Sequence, residues 1–495
     1  MRRRTTTGFL TFVLLTAVGC STYRQVASQY PKSDIATIYE NALPNTERNP
    51  VVLIHGFAGA TLRRVEDEAT VWGAFFTKDS LLPSKPAGLR AFALDIDHLP
   101  RPLDQRDLLA IADDTRAVEL LARVQADAKV ADINVEIYGS LVELIEESGY
   151  GSCQGVPSAI TDLDTPPCLT FFYDWRQDNV GNAIRLGRFL DQARSRIEEL
   201  RADTRDHAEE KVYFDLIAHS MGGLLARYFL RYGAEDVLSQ PDPPINWRGA
   251  EHIDRLIMIS TPNFGAMKVL RELVEGRHYP VVNFEPAMVN TFVSAYQMLP
   301  RPDHAVWLNE QGELIEEDLL SATFWEENGW GAFAPGQDKY LAWVFPGEPT
   351  SEGRRQRMSE FMTAAFDRGR RFNRVMDRRP EELCPTELTL FAADVQPTMA
   401  RAILMEKDGK KILRFDNTKT LTLKAPGDRS VTRASSVADE RLLGEATGFA
   451  TSPIPWNRKI FLTDMHRTLL GNPTFQNNLL HILLETPPHR RPAPR

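Results

Sequence analysis

Short apolar runs recur along the chain, separated by longer stretches in which apolar residues return every three or four positions. The runs are Val51-Val52-Leu53-Ile54, Leu169 to Phe172, Val212 to Ala218, Leu256 to Ile259, Leu388 to Ala392 and Ile460 to Leu462. A strand with no polar alternation is one buried on both faces, so these runs predict a mostly parallel sheet covered by helices on both sides, an α/β architecture. A helix is predicted over Asn179 to Leu200, with Ile184, Leu186, Phe189, Leu190, Ile197 and Leu200 as its apolar stripe and a solvated charged face opposite. Between Ile403 to Met405 and Ile412 to Phe415, Asp408-Gly409 predicts a two-residue hairpin outside the main sheet.

Two intervals, 60–168 and 266–384, are too long to be simple connections and predict insertions. The second gathers Trp307, Phe324, Trp325, Trp330, Phe333, Tyr340, Trp343 and Phe345. These rings either roof a lipid-accommodating cleft as a cap or form the cap's own core, and both readings stand at this level.

The run from Val212 ends in Ala218-His219-Ser220-Met221-Gly222-Gly223, followed by the apolar helix pattern Leu224 to Leu230. A strand, a turn of small residues with serine at its tip and then a helix is the arrangement that exposes a nucleophile, the small neighbours letting the backbone close around it. The alternative is that Ser220 only caps the helix. A serine nucleophile needs a histidine to take its proton and an acid to orient that histidine, in the chain order serine, acid, histidine on this kind of sheet. His466, four residues past Leu462, suits the base; otherwise it is a loop residue capping a helix near Thr468. His481 lies in an apolar helix and His489 in the tail. The acid is Asp394, directly after the strand Leu388 to Ala392, or Asp428 in Pro-Gly-Asp, itself an ordinary turn. The amides of Met221 and, after His55-Gly56, of Phe57 are the candidate oxyanion donors.

A net charge of −9 over 495 residues, with no basic stripe, excludes nucleic acid as an expected partner. No cysteine or histidine spacing suggests a metal, and no cofactor is expected. Arg2-Arg3-Arg4 followed by an apolar run from Gly8 to Val18 reads as a signal peptide over residues 1–19, too short to span a bilayer. Ala17-Val18-Gly19-Cys20 resembles a bacterial lipoprotein cleavage box, which implies a lipid anchor on Cys20. Ser21 after it resembles lipoproteins carried to the outer membrane of a Gram-negative envelope. Residues 20–48 then read as a tether, 49–486 as the folded domain, and 487–495 as a disordered, mildly basic tail. In an oxidising compartment Cys153 and Cys168 are the expected disulfide, leaving Cys384 over; the alternative is that all three stay reduced.

Several separated motifs resemble the lecithin:cholesterol acyltransferase family. Val51-Val52-Leu53-Ile54-His55-Gly56-Phe57 is similar to its opening strand and oxyanion loop, Tyr173-Asp174-Trp175-Arg176 to its Tyr-Asp-Trp-Arg segment, and Ala218 to Leu224 to its nucleophile segment. Ile259 to Gly265 resembles the turn after the next strand, Gly427-Asp428-Arg429-Ser430-Val431 the acid loop, and His466 with Leu469, Asn472-Pro473 and Phe475 the terminal histidine segment. The chain departs from the pattern at Ala218, where glycine is usual, and at Arg429-Ser430, where Gly-Thr is usual. The resemblance implies an α/β-hydrolase fold with a large cap, favours Asp428 over Asp394, and implies Ser220, Asp428 and His466 as a triad acting on a lipid acyl ester by hydrolysis or acyl transfer. It also implies a mainly architectural role for Asp174 and Arg176, with Trp175 open to a role at the substrate. Hydrolysis of a non-lipid ester or polyester, or a catalytically silent envelope scaffold, are the alternatives.

Overall fold

The computed structural model describes residues 40, 42–75, 85–112, 114–121, 123–128, 131–202, 211–278, 283–304, 306–441 and 451–489. The leader, Cys20 and the tether through residue 39 lie outside the described residues. Among the described helices none is long and apolar enough to cross a membrane.

All six apolar runs enter one sheet: β1 (Val51–Ile54), β2 (Cys168–Phe171), β3 (Phe214–His219), β4 (Ile253–Ile259), β5 (Glu387–Ala393) and β6 (Arg458–Leu462). Their order is β6-β5-β4-β3-β1-β2 and every neighbouring pair is parallel. The four central strands are buried at every position, which is why no polar alternation marks them. Ala402–Lys407 and Lys410–Arg414 form the expected hairpin outside this sheet, with Asp408 and Gly409 both at positive φ.

Helix α1 (Asn179–Ala202) leads from β2 to β3 and α2 (Met221–Tyr232) from β3 to β4. The buried stripe of α1 is Val180, Ala183, Leu186, Leu190, Ala193 and Ile197, a more alanine-rich face than the large residues alone suggest. Helix α2 is buried at all twelve positions, two arginines included. Arg227 and Arg231 each donate to the Met376 carbonyl, at 2.8 and 3.0 Å, at the C-terminus of the long helix α3 (Ser351–Asp377). Cations are favoured at a helix C-terminus, where carbonyls lack intrahelical partners, so α3 is clamped to the helix that follows Ser220. Arg368 of α3 also pairs with Asp178, which caps the first turn of α1 by accepting from the amides of Val180 and Gly181. The insertion 266–384 is thereby fastened at two places to the helices that flank the sheet.

Cys153 and Cys168 are joined by a disulfide, and Cys384 takes no part in one. The bridge ties the loop before β2 to the first residue of that edge strand. Closing a loop of this length contributes about 3 kcal/mol in the chain-entropy account. Cys153→Ala is therefore expected to lower the urea-unfolding free energy by about that amount, and unchanged stability on reduction of the parent protein would remove the bridge from the account. The tail departs from expectation at its start: Pro488 is buried and the His489 amide donates to Asp254 at 2.8 Å, which keeps the chain on the body through residue 489. Residues 490–495 lie outside the described residues.

Candidate active site

Ser220 sits between the end of β3 and the start of α2 with φ 54° and ψ −125°, a region that L-residues avoid. Its amide is held by the Ile259 carbonyl at 2.7 Å. The turn closes only because its neighbours lack side chains. A Cβ on Gly222 would lie 2.4 Å from the His55 carbonyl oxygen, and one on Gly56 would lie 2.7 Å from the Ser220 Cβ. The Ser220 side chain makes no capping bond to α2, so the helix-cap reading does not describe it.

Its hydroxyl instead meets His466 Nε2 at 2.9 Å, and His466 Nδ1 meets Asp428 Oδ2 at 2.7 Å. Asp428 uses its other oxygen within its own loop, where Oδ1 accepts from the amides of Ser430 and Val431 at 2.8 and 2.6 Å. Burial works to raise its pKa, but the His466 imidazole and these amides outweigh it and hold the carboxyl below its ordinary range. The acid loop also positions the base directly, since the His466 amide donates to the Asp428 carbonyl at 2.9 Å. Asp394 stands at the end of β5, with its amide on the Leu462 carbonyl. It is Asp428 that the structure brings to the imidazole.

Phe57 and Met221 flank Ser220, and among the described residues no group accepts from either amide. The loop carrying Phe57 is braced by His55, which is fully buried. Its Nδ1 lies 2.9 Å from the Gly56 carbonyl, its ring stacks on Tyr173, and its own carbonyl accepts from the Tyr173 hydroxyl at 2.6 Å. Burial depresses its pKa to about 4, so near neutral pH His55 is an uncharged strut.

Asp174 and Arg176 form a buried ion pair with contacts of 3.0 and 2.6 Å. Arg176 Nη1 also bonds the carbonyls of Ala91 and Phe92, at 3.0 and 2.7 Å, closing the end of the helix Pro86–Phe92. That pair is architectural. Trp175 between them faces the pocket above Ser220.

The pocket has an empty volume of about 920 Å³ including its open mouth. Phe57, Trp72, Phe92, Trp175, Phe284 and Phe292 line it, packed edge to face or tilted against one another. None of the eight cap rings singled out in the sequence is among its walls, which corrects the reading of them as a roof. Most build the insertion's own core: Trp325 packs on Trp330 and on Phe366 of α3, whereas half-buried Trp343, packed on Tyr340, lines a separate cleft. The helices Ala322–Asn328 and Asp338–Val344, which carry four of these rings, pack against α3, and the rings help fill the layer between them. The pocket walls come instead from Trp72 and Phe92 of the first insertion and from the opening of the second, none of which any local pattern distinguishes. Lys268, Arg277, Arg467 and Glu272 also line the pocket, and Lys268 donates to Ser430 at 3.1 Å. A second, larger cleft, lined by Asp95, Asp97, His98 and Asp114 among others, shares no residue with this one.

Residues 112–328 match the lecithin:cholesterol acyltransferase family. The match spans Tyr173 to Arg176, Ser220 and the turn after β4, while Asp428 and His466 lie beyond it. No curated protein matches the sequence. Among solved structures the chain is similar to one in "The crystal structure of Tle4-Tli4 complex", at 14% identity and TM-score 0.50, covering 88% of this chain and 97% of that one. It is also aligned with the lipase BlEst2 of Bacillus licheniformis in its mature form, at 10% identity and TM-score 0.30, covering 88% and 94%. The parallel sheet with helices around it is an α/β-hydrolase fold. The family match supports an acyl-ester hydrolase or acyltransferase in general terms.

Proposed function

We propose that the protein cleaves a lipid acyl ester through an acyl-enzyme on Ser220 and passes the acyl group to water or to an alcohol. The observation that carries this reading is the continuous hydrogen-bonded line from Asp428 through His466 to Ser220, ending under an apolar pocket. In this mechanism Ser220 Oγ attacks the ester carbonyl as His466 Nε2 takes its proton. Asp428 keeps the remaining proton on Nδ1 and stabilises the imidazolium. The amides of Phe57 and Met221 receive the developing oxyanion. The imidazolium then protonates the departing alkoxide, and the base activates water or an acceptor alcohol to release the acyl group.

The ring-lined pocket suits an acyl chain. Three cations against one carboxylate at its walls suit an ester that carries an anionic group nearby, which favours a glycerophospholipid over a neutral glyceride. Incubation with mixed vesicles of phospholipid and triacylglycerol, with and without an alcohol acceptor, tests this. Fatty acid released from phospholipid identifies a hydrolase, and an acylated acceptor identifies a transferase. Turnover confined to short soluble esters would overturn the lipid reading, and no turnover of any ester would favour a scaffold.

The leader sequence supports placement of this catalytic body at an envelope membrane through a lipidated Cys20, each buried methylene adding about 0.8 kcal/mol. Metabolic labelling with a palmitate analogue is expected for the full chain and not for Cys20→Ala. Equal labelling of both would remove the anchor.

A further inference from the structure

We infer that Tyr138 and His219 form a directional hydrogen-bonded strut that locks the oxyanion loop, the nucleophile turn and the base loop into one geometry, making both of them positioning residues for the reaction. This rests on the roles proposed for Ser220, His466 and the Phe57 amide.

Tyr138, immediately before the helix Gly139–Glu147, is buried, as is His219, the residue before the nucleophile. The Gly56 amide lies 2.8 Å from Tyr138 Oη, Tyr138 Oη lies 2.9 Å from His219 Nδ1, and His219 Nε2 lies 3.2 Å from the His466 carbonyl oxygen. Only one assignment of hydrogens satisfies all four groups. A carbonyl oxygen can only accept, so His219 Nε2 carries hydrogen. In the neutral ring Nδ1 is then bare and accepts from the tyrosine hydroxyl. The hydroxyl, having donated, accepts the Gly56 amide. Burial keeps the two side chains in the middle of this line from changing state: it depresses the His219 pKa to about 3 and raises that of Tyr138. The ring therefore stays uncharged beside His466, whose own ring centroid is only 4.9 Å away.

Each end of the strut touches a moving part of the proposed chemistry. Gly56 precedes Phe57, whose amide is to meet the oxyanion, and the His466 peptide is gripped on both sides, through its amide by Asp428 and through its carbonyl by His219. Neither Tyr138 nor His219 lines the pocket, so neither is a candidate for substrate contact. Ordinary core packing would need a ring at position 138 but no hydroxyl. The bonds add what packing cannot, a fixed register among three loops far apart in sequence.

Tyr138→Phe retains the ring and removes the middle of the chain. With p-nitrophenyl butyrate, and with enzyme counted by fluorophosphonate burst titration, kcat is expected to fall about 10- to 100-fold while KM changes little, as small misplacements of catalytic groups cost. His219→Leu breaks the same line at the next link. The double variant is expected to be no worse than about threefold below the poorer single, because links of one chain are not independent. A Tyr138→Phe enzyme with parental kcat per titrated site, or single effects that multiply in the double variant, would overturn the strut. A Ser220→Ala enzyme run alongside separates the two claims: if it keeps its turnover the acyl-enzyme reading fails, and if it is inactive while Tyr138→Phe is fully active only the strut fails.

Discussion

Ser220→Ala is expected to lower kcat by about a million-fold, to the residual level that oxyanion donors and binding alone sustain in serine hydrolases. Removing Oγ takes away the atom proposed to form the covalent bond and leaves His466 Nε2 without the hydroxyl it faces. The fold should tolerate the change, since alanine also lacks the side-chain cap that Ser220 does not make. A fluorophosphonate probe should label the parent protein and not the variant. Equal labelling of the two would mean that the nucleophile lies elsewhere.

Asp428→Asn is expected to cost about 10⁴-fold in kcat with the structure preserved, as for the corresponding acid of a serine protease. The geometry of the loop explains why an isosteric change is so harmful. Oδ1 of residue 428 accepts from the amides of Ser430 and Val431, a task that an asparagine oxygen can keep. The asparagine NH₂ is then presented to His466 Nδ1 in place of a carboxylate oxygen. Nδ1 is forced to accept, the ring hydrogen moves to Nε2, and the nitrogen facing Ser220 can no longer take a proton. The charge that would stabilise the imidazolium is lost as well. Asp394→Asn is the control, with near-parental turnover expected. Loss of activity on changing Asp394 but not Asp428 would reverse the assignment of the acid.

The elements most legible before folding were those whose local physics is nearly self-sufficient. A strand buried on both faces is mostly apolar, so the sheet's strands could be read from Val51 to Leu462 with ends displaced by at most three residues, the half-exposed edge strand β6 only over Ile460 to Leu462. The hairpin at Asp408-Gly409 was equally clear, because a two-residue turn with positive φ at both positions demands those residue types. The turn at Ser220 was visible for a related reason. Its backbone approaches His55 so closely that only glycine fits at position 222, and that requirement is written in the sequence itself.

The aromatic-rich stretch in the second insertion was less informative, since a ring that packs under a helix and a ring that faces a ligand obey the same apolar preference. Choosing between them takes knowledge of what lies opposite. Beside Phe57 and Trp175, which lie in motifs visible in the sequence, the pocket is built from Trp72, Phe92, Phe284 and Phe292, single rings in unremarkable surroundings that converge only in the folded chain.

By itself the sequence determined the strand set, the tight turn at Ser220 and the candidate base, because backbone burial and tight turns constrain residue type locally. The tertiary structure decided which further rings line the pocket and how Tyr138 and His219 are linked to the loops around Ser220, and it brought to the imidazole Asp428, the acid that local pattern left open and the motif resemblance favoured. Those outcomes depend on distances between segments tens to hundreds of residues apart, and such distances are set by packing rather than by any local preference.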